Sequence, residues 1–185
     1  FTGQHVAEAM LDIAVRAGGI PDKEGIEVFW SSETASRWEY LFNPLKGRII
    51  VGVNPGGDRE NRRWAPERFA AVAAEISGRL NASIVLLGGS AEARIASHIA
   101  DLIGGGVLNL AGKTSVDALP YIISRMDLLI TNDSGPMHIA AATKTPLVAL
   151  FGPEDPSLFG PYTSRRLYRV IHKALPCRPC SAETC

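Results

Sequence analysis

The sequence predicts an α/β fold built on a doubly wound, Rossmann-like parallel sheet. Short apolar segments alternate with amphipathic ones from Lys46 onward. Most of the apolar segments are hydrophobic throughout, which is typical of strands buried on both faces of a parallel sheet. Because parallel strands are joined by right-handed crossovers, an open sheet with helices on both faces is the simplest arrangement that fits this alternation.

Residues 1–45 are expected to form a helical linking segment that has no core of its own. Apolar side chains at three- and four-residue spacing predict a helix from Val6 to Ala17. A short strand is expected at 26–29 and a second helix at 32–42. We expect this segment to pack on the domain that follows it or on another part of a longer protein.

Residues 46–175 are expected to form the α/β domain. Its predicted strands lie at 48–53, 83–87, 107–110, 128–131 and 147–151. The helices between them are predicted at 66–80, 90–103, 115–126 and 137–143. Ser90 and Ser115 are the expected N-caps of two of these helices. Pro120 lacks the N–H group that a helix interior needs, so the third helix is expected to start later than residue 115.

Composition limits the classes of function. The 185 residues include 19 Lys and Arg against 19 Asp and Glu, which gives a formal net charge of zero. A general nucleic-acid binder needs a basic field, so we expect no nucleic-acid partner. No apolar run approaches the ~20 residues of a membrane-spanning helix. Since the chain begins with Phe1 rather than Met, we expect it to be part of a longer protein.

The cysteines are confined to a tail expected at 176–185, as Cys177, Cys180 and Cys185. A secreted disulfide scaffold would spread cysteines along the chain, so a reduced cytosolic protein is the simpler interpretation. A zinc knuckle is the alternative, but one C-x-x-C pair and a third Cys fall short of four ligands. The domain itself has no residues at metal-ligand spacing, and we expect no metal.

The segment from Asn132 to His138 follows a predicted strand and opens a helix. Free N–H groups at such a turn and the helix dipole form a site for an anion. Asp133 is better suited to accept hydrogen bonds from hydroxyl groups. The alternative is that Asp133 or Ser134 only caps the helix. A hydrolase is disfavoured, because the nucleophile motif G-x-S-x-G is absent here.

The loop 54–65 also joins a strand to a helix, on the same edge of the sheet. Gly56 and Gly57 permit a tight turn, and Arg62 and Arg63 could hold a diphosphate with their fork-shaped donors. The loop matches neither the P-loop nor the G-x-G-x-x-G pattern. A solvated basic loop is the alternative interpretation.

Two further loops follow neighbouring strands. Glu92 could accept hydrogen bonds from a ribose, as acidic residues do in dinucleotide-binding folds, or could simply favour the first turn of its helix. Lys113, which precedes Thr114, could face a phosphate or water.

Together these loops resemble glycosyltransferase family 9, the ADP-heptose:lipopolysaccharide heptosyltransferases. The order and spacing of the motifs agree from Val51 to Pro161. The matching segments are Pro55-Gly56-Gly57, Arg62–Ala70, Leu110–Ser115, Thr131–Ala142 and Pro146–Pro153. The cysteine-bearing tail resembles the ends of some transferases of the second heptose, the heptosyltransferase II type.

The resemblance implies the C-terminal, donor-binding half of a GT-B fold. It implies an inverting enzyme that transfers heptose from ADP-heptose to the lipopolysaccharide inner core, without a metal or other cofactor. The acceptor-binding half, with its catalytic base, would lie elsewhere, so the catalytic residue is unknown. The implied location is cytoplasmic, with peripheral contact to the inner membrane. A nucleotide-sugar-binding module without transferase activity and a GT-B sugar-nucleotide epimerase are the alternatives.

The resemblance also implies roles for single residues. Asp133 would bind the donor near its sugar and diphosphate. Ser134 and Gly135 would offer backbone N–H groups to the phosphates, supported by His138. Arg62 stands where the family usually has Lys, and its geometry differs from that of Lys. The remaining substrate-binding positions implied are Pro55, Gly56, Glu92, Lys113 and Thr114.

Overall fold

The computed structural model describes residues 3–22 and 25–180. Its centre is a six-stranded sheet in which all neighbouring strands are parallel. The strands are β1 (Ile50–Asn54), β2 (Ser83–Leu86), β3 (Val107–Asn109), β4 (Leu128–Asn132), β5 (Leu147–Phe151) and β6 (Tyr168–His172). Their order is β3-β2-β1-β4-β5-β6, which confirms the predicted doubly wound sheet. The order reverses between β1 and β4, where ligands bind in folds of this type.

Helices cover both faces of the sheet. They are α1 (Val6–Arg16), α2 (Ser32–Glu39), α3 (Pro66–Leu80), α4 (Ala93–Ile103), α5 (Leu119–Ser124), α6 (Gly135–Ala142) and α7 (Pro156–Phe159). Short 3-10 turns lie at Tyr40–Leu45, Glu60–Arg62, Ser90–Glu92 and Val116–Ala118. As predicted, α3 has Pro66 in its first turn, where a missing N–H group is harmless.

The central strands are uniformly apolar because each face of the sheet has its own core. In β2, Ile84 and Leu86 pack with Phe69 and the rest of the α3–α4 core. Val85, between them, points to the opposite face and packs with the core that contains Ile122. Burying one such side chain stabilises the fold by about 1.5–3 kcal/mol. Both cores therefore hold the carboxyl ends of the strands in fixed relative positions.

The segment before β1 differs in part from the prediction. Phe42 is 1% exposed and joins the core that contains Tyr121. Residues 26–29 do not form the expected strand, and Phe29 is 79% exposed. A strand needs a hydrogen-bonded neighbour, and the described sheet ends at β3 and β6. Within the described ranges, no helix is long and apolar enough to cross a bilayer.

Of the two expected serine caps, Ser90 was wrong, and Ser115 stands at an N-cap position without a capping hydrogen bond. Ser90 lies inside a 3-10 turn, and the Glu92 carboxylate instead accepts a hydrogen bond from the Gly89 N–H at 2.9 Å. Ser115 precedes another 3-10 turn and makes no capping hydrogen bond. The following helix, α5, begins at Leu119 with a proline in its first turn, so the later start was correct. Two elements, β6 and α7, were not predicted at all.

Candidate functional site

Two adjoining cavities open at the carboxyl ends of the central strands. The first cavity, of about 520 Å³, lies over the ends of β1 and β2. The predicted residues that line it are Gly56, Glu92, Thr114, Ser134 and Gly135. The second cavity, of about 410 Å³, lies beside the end of β4, and Arg62, Asp133 and His138 contribute to it.

The amino terminus of α6 separates the two cavities. Asp58, Ser134 and Gly135 line both of them. The first N–H groups of a helix have no partner within the helix, and the helix dipole makes this end partly positive. An elongated ligand could thus occupy both cavities and place an anionic group at their junction.

Asn132 connects the end of β4 to the loop after β1. Its side-chain amide is completely buried and donates hydrogen bonds to the carbonyl groups of Pro55 at 2.8 Å and Gly56 at 3.1 Å. Its side-chain oxygen accepts a hydrogen bond from the Trp64 N–H at 3.1 Å. One side chain therefore fixes both ends of this loop. The sequence showed an Asn at a strand end, but not that the loop folds back onto it.

Asn54, at the end of β1, restrains the hydroxyl group of Ser134. Its amide donates to the hydroxyl oxygens of Thr131 and Ser134, each at 3.1 Å. The Ser134 hydroxyl itself donates to the Asn132 carbonyl at 3.1 Å. Among the described residues, no histidine hydrogen-bonds to this hydroxyl, so no nucleophile–base pair is formed. The geometry leaves the backbone of this turn, rather than its hydroxyl, to meet a ligand.

Arg62 is surrounded by three carboxylates, a group that we call the Arg62 cluster. Its Nη2 pairs closely with Glu154 Oε1. Its Nη1 lies 3.4 Å from Asp58 Oδ1 and 3.7 Å from Asp133 Oδ2. Arg59 reaches the same Glu154 oxygen from outside, at 3.8 Å. Sequence analysis named Arg62 and Asp133 separately and missed Glu154, which follows β5 and is distant in the sequence.

The Asp133 carboxylate of this cluster is buried, and its charge is only partly compensated. Burial raises the pKa of its carboxyl group, and the nearby Arg62 guanidinium offsets only part of that rise. The charges of Glu154 and Asp58 raise the pKa further. Its Oδ2 is buried and accepts no hydrogen bond from the described residues. Because buried polar atoms normally have hydrogen-bond partners, an atom of this kind in a cavity points to a ligand.

Arg62 also has unused hydrogen-bonding capacity. Its Nε is buried and donates no hydrogen bond within the described part of the chain. Burial lowers the pKa of its guanidinium, but the hydrogen bond to Glu154 and the surrounding carboxylates raise it above the ordinary value. The side chain therefore stays a cation at every pH at which the protein is used.

The close approach of two loops places Arg62 beside Glu154. A Cβ atom added to Gly152 would lie 2.5 Å from the Asn61 carbonyl oxygen and 3.2 Å from Arg62 Cα. A side chain at residue 152 would therefore push the loop after β1 away from the loop after β5. Glycine at this position is a signal that sequence analysis could have weighed, although not without knowing which loops meet.

His138 faces the second cavity from the first turn of α6. Burial lowers the pKa of its imidazole, and the nearby His5 lowers it further. The ring of His5 lies 4.9 Å from that of Tyr162, and its Nε2 is 3.0 Å from the Gly160 carbonyl oxygen. Because its pKa is lowered, His138 is uncharged at neutral pH and can act there as a neutral hydrogen-bonding group.

Of the other predicted residues, Glu92 lines the first cavity, whereas Pro55 and Lys113 line neither cavity. Glu92 packs over Gly56, where an added Cβ atom would lie 2.9 Å from its Cγ. Pro55 contributes its backbone carbonyl to the Asn132 amide. Lys113 donates from Nζ to the Asn109 carbonyl at 2.9 Å and lines neither cavity. The ligand contacts expected of these residues stay predictions.

The tail packs on the loop after β5. The Cys180 N–H donates to the Pro153 carbonyl at 3.1 Å, and Arg178 donates to the Glu154 carbonyl at 2.9 Å. Cys177 is exposed, and Cys185 lies outside the described residues. The described ranges contain no group of three His, Cys, Asp or Glu side chains that could hold a metal ion.

Comparison with known sequences gives one consistent family. The profile of glycosyltransferase family 9 (heptosyltransferase) matches residues 2–185. Lipooligosaccharide heptosyltransferase 2 of Campylobacter jejuni is 36% identical over 151 residues, which are 77% of this chain and 46% of that protein. Lipopolysaccharide heptosyltransferase 2 of Escherichia coli K12 is 32% identical over 136 residues, which are 70% of this chain and 39% of that protein.

Solved structures give the same result. The crystal structure of a family 9 glycosyl transferase from Veillonella parvula matches with a TM-score of 0.81 and 29% identity, over 91% of this chain and 49% of that one. Escherichia coli ADP-heptose lipopolysaccharide heptosyltransferase II matches with a TM-score of 0.68 and 29% identity, over 78% of this chain and 44% of that one. The chain spans about half the length of these relatives.

Proposed function

This chain belongs to glycosyltransferase family 9, and we propose that it forms the donor-binding half of an enzyme that transfers heptose from ADP-heptose to the lipopolysaccharide inner core. One observation carries this proposal. Two cavities meet at the amino terminus of α6, and the buried Asp133 carboxylate borders one of them. The arrangement suits a ligand with a diphosphate between two hydroxyl-bearing groups.

The first cavity suits the nucleoside part of the donor. Glu92 holds its carboxylate at the cavity wall by accepting the Gly89 N–H, and one wall contains the apolar side chains of Leu87, Val116 and Leu119. A flat base can pack on apolar side chains, and a carboxylate can accept hydrogen bonds from ribose hydroxyls. We propose this orientation, with the sugar in the second cavity.

The charge distribution suits departure of a nucleoside diphosphate. When the bond between sugar and phosphate breaks, negative charge grows on the diphosphate. In the proposed orientation, the N–H groups at the start of α6 and the Arg62 guanidinium would face the diphosphate on which that charge develops. Donors that are already in place stabilise such a leaving group without further rearrangement. The hydroxyl of the acceptor, deprotonated by a base in the other half, would attack from the opposite side.

The acceptor suggests where the complete enzyme works. The inner core is attached to a lipid, so the acceptor sugar lies close to a membrane surface. We propose a cytoplasmic enzyme that contacts the inner membrane peripherally while it works. Release of the enzyme from membrane vesicles by salt, without detergent, is the measurement that would support this contact.

The present chain should bind ADP but transfer nothing by itself. We expect weak, enthalpically detectable ADP binding in isothermal titration, and no heptose transfer to a lipopolysaccharide core acceptor. The reason is that this chain supplies the lining residues of both cavities, whereas its relatives are about twice as long.

Two controls make this test specific. UDP carries the same diphosphate with a smaller base, so weaker binding of UDP than of ADP would show that the base is recognised. Incubation of ADP-heptose without acceptor, followed by product analysis, tests for an epimerase. Transfer by this chain alone would contradict the division into two halves, and absence of ADP binding would contradict the donor site.

Replacing Arg62 by Ala should weaken ADP binding more than replacing Arg63. Arg62 borders the second cavity next to Asp133, whereas Arg63 lines the first cavity, where its Nε is engaged with the Gly57 carbonyl at 2.7 Å. Loss of a charge-assisted hydrogen bond to phosphate should cost about 1.5–3 kcal/mol. Titration of both variants with ADP measures the difference. Equal affinities for the wild type and Arg62→Ala would remove Arg62 from the donor site.

A further inference from the structure

We propose that the Glu154 carboxylate binds Arg62 in place of a phosphate as long as no donor is bound. The diphosphate of the donor then displaces Glu154 from Arg62. This inference rests on the proposed donor site. It assigns to Glu154 a role in setting donor affinity through Arg62, so Glu154 is a positioning residue and not a catalytic one.

Glu154 occupies the Arg62 guanidinium, the cationic group that borders the second cavity, while Glu154 itself lines neither cavity. Arg62 Nη2 makes its closest contact with Glu154 Oε1, while Nη1 reaches Asp58 and Asp133 only at 3.4 and 3.7 Å. A carboxylate and a phosphate present similar oxygen acceptors to a guanidinium. The Glu154 side chain is 18% exposed and belongs to neither hydrophobic core, so the proposed outward turn leaves both cores intact.

The backbone of Glu154 is fixed although its side chain can move. Its carbonyl accepts a hydrogen bond from Arg178 Nη2 at 2.9 Å, and the neighbouring Pro153 carbonyl accepts one from the Cys180 N–H. A second cation is also close to Glu154, since Arg59 Nη1 lies 3.8 Å from the same carboxylate oxygen. Glu154 can therefore leave Arg62 and remain paired with Arg59.

The charges around Arg62 favour such an exchange. Three carboxylates pair with Arg62 and Arg59, and the Arg178 guanidinium lies on the Glu154 carbonyl, so the positive charge of Arg62 is already engaged before any ligand arrives. A diphosphate that entered with Glu154 still in place would meet repulsion and a guanidinium already engaged. Displacing Glu154 frees Arg62 Nη2 and moves one negative charge away from the ligand.

Isothermal titration with ADP tests the exchange. Glu154→Gln should bind ADP about tenfold more tightly than the wild type, which corresponds to ~1.4 kcal/mol. In an Arg62→Met background the same Glu154 substitution should change ADP affinity by less than about twofold, because the group through which it acts is gone. Asp155→Asn is the matched control, since it removes the neighbouring charge and keeps an oxygen for the Ser157 N–H.

Each outcome decides the matter. A gain with Glu154→Gln that disappears without Arg62 supports the exchange. A gain that persists without Arg62, or that Asp155→Asn reproduces, shows simple repulsion of the ligand and overturns it. Unchanged or weaker binding by Glu154→Gln overturns it too, since Glu154 would then hold Arg62 in its working position. If the wild type itself fails to bind ADP, the proposed function fails first, and the inference falls with it.

Discussion

Replacing Asn132 by Ala is expected to lower the free energy of unfolding by about 3–4 kcal/mol and to abolish measurable ADP binding. The Asn132 side chain makes three hydrogen bonds in a completely buried position. Its removal leaves the carbonyl groups of Pro55 and Gly56 and the Trp64 N–H without that partner. Unsatisfied buried groups are costly, and the loop they belong to forms one wall of the first cavity.

Asn109→Ala is the matched control for this prediction. Asn109 also ends a strand, but its side chain accepts a single hydrogen bond, from the Ala111 N–H at 3.1 Å. We expect a loss of only about 1 kcal/mol for this control. Urea unfolding measures both losses, and titration with ADP below the midpoint of unfolding measures binding. Equal losses for the two variants would mean that the Asn132 hydrogen bonds contribute no more than an ordinary strand-end contact.

The sheet could be predicted because its signal is local. Segments such as Ile84–Leu87 are apolar at every position, and this pattern does not depend on distant parts of the chain. The helix that begins at Pro66 is equally well marked, since its apolar side chains recur with the period of a helix face. The later start of the helix near Pro120 followed from the missing N–H group alone.

The missed features depend on contacts between distant residues. Strand β6 carries Arg169 as its second residue and lies at the sheet edge, so its composition did not distinguish it from a loop. The Ser90 cap failed because a side chain two residues later reached the Gly89 N–H instead. Both features depend on which groups come within hydrogen-bonding distance of each other in the folded chain. A local sequence pattern does not contain that information.

The site was predicted as a set of separate loops rather than as a network. Asp133 and Arg62 were both named from the sequence, but each for its own interaction with the donor. Their mutual distance, and the pairing of Arg62 with Glu154, are set only when the loops after β1, β4 and β5 meet. A close approach at Gly152 permits that meeting, and no spacing rule along the chain predicts it.

Asp133→Asn should lower kcat/KM for ADP-heptose about 100-fold in the complete enzyme without lowering the melting temperature. The carboxylate and the amide have the same shape, but only the carboxylate can form charge-assisted hydrogen bonds with donor hydroxyls. Asp127→Asn is the control: Asp127, just before β4, accepts the Ile50 N–H at 2.8 Å, far from both cavities. That variant should retain full transfer activity.

The pH dependence of the melting temperature should show whether the Asp133 carboxylate serves ligand binding or the stability of the fold. Burial raises the pKa of Asp133, so between its ordinary and its raised pKa the folded chain holds a proton that the unfolded chain has released. In that window the stability of the wild type falls as pH rises, and above it the full cost of the buried charge is present. Asp133→Asn lacks this titration. Its melting temperature should therefore equal or exceed that of the wild type at neutral pH, and the difference should shrink as pH falls toward the ordinary pKa of an aspartate.

The opposite pH profile would change the interpretation of Asp133. If the variant melts at a lower temperature at neutral pH, the charge stabilises the fold through Arg62, which lies 3.7 Å away, and the loss of transfer would then be indirect. If transfer is unchanged, Asp133 only ends a strand. Suppose instead that Asp133→Asn loses transfer while its stability is equal to or greater than that of the wild type. The buried Asp133 charge then lowers the stability of the fold, and its role is to bind the donor sugar.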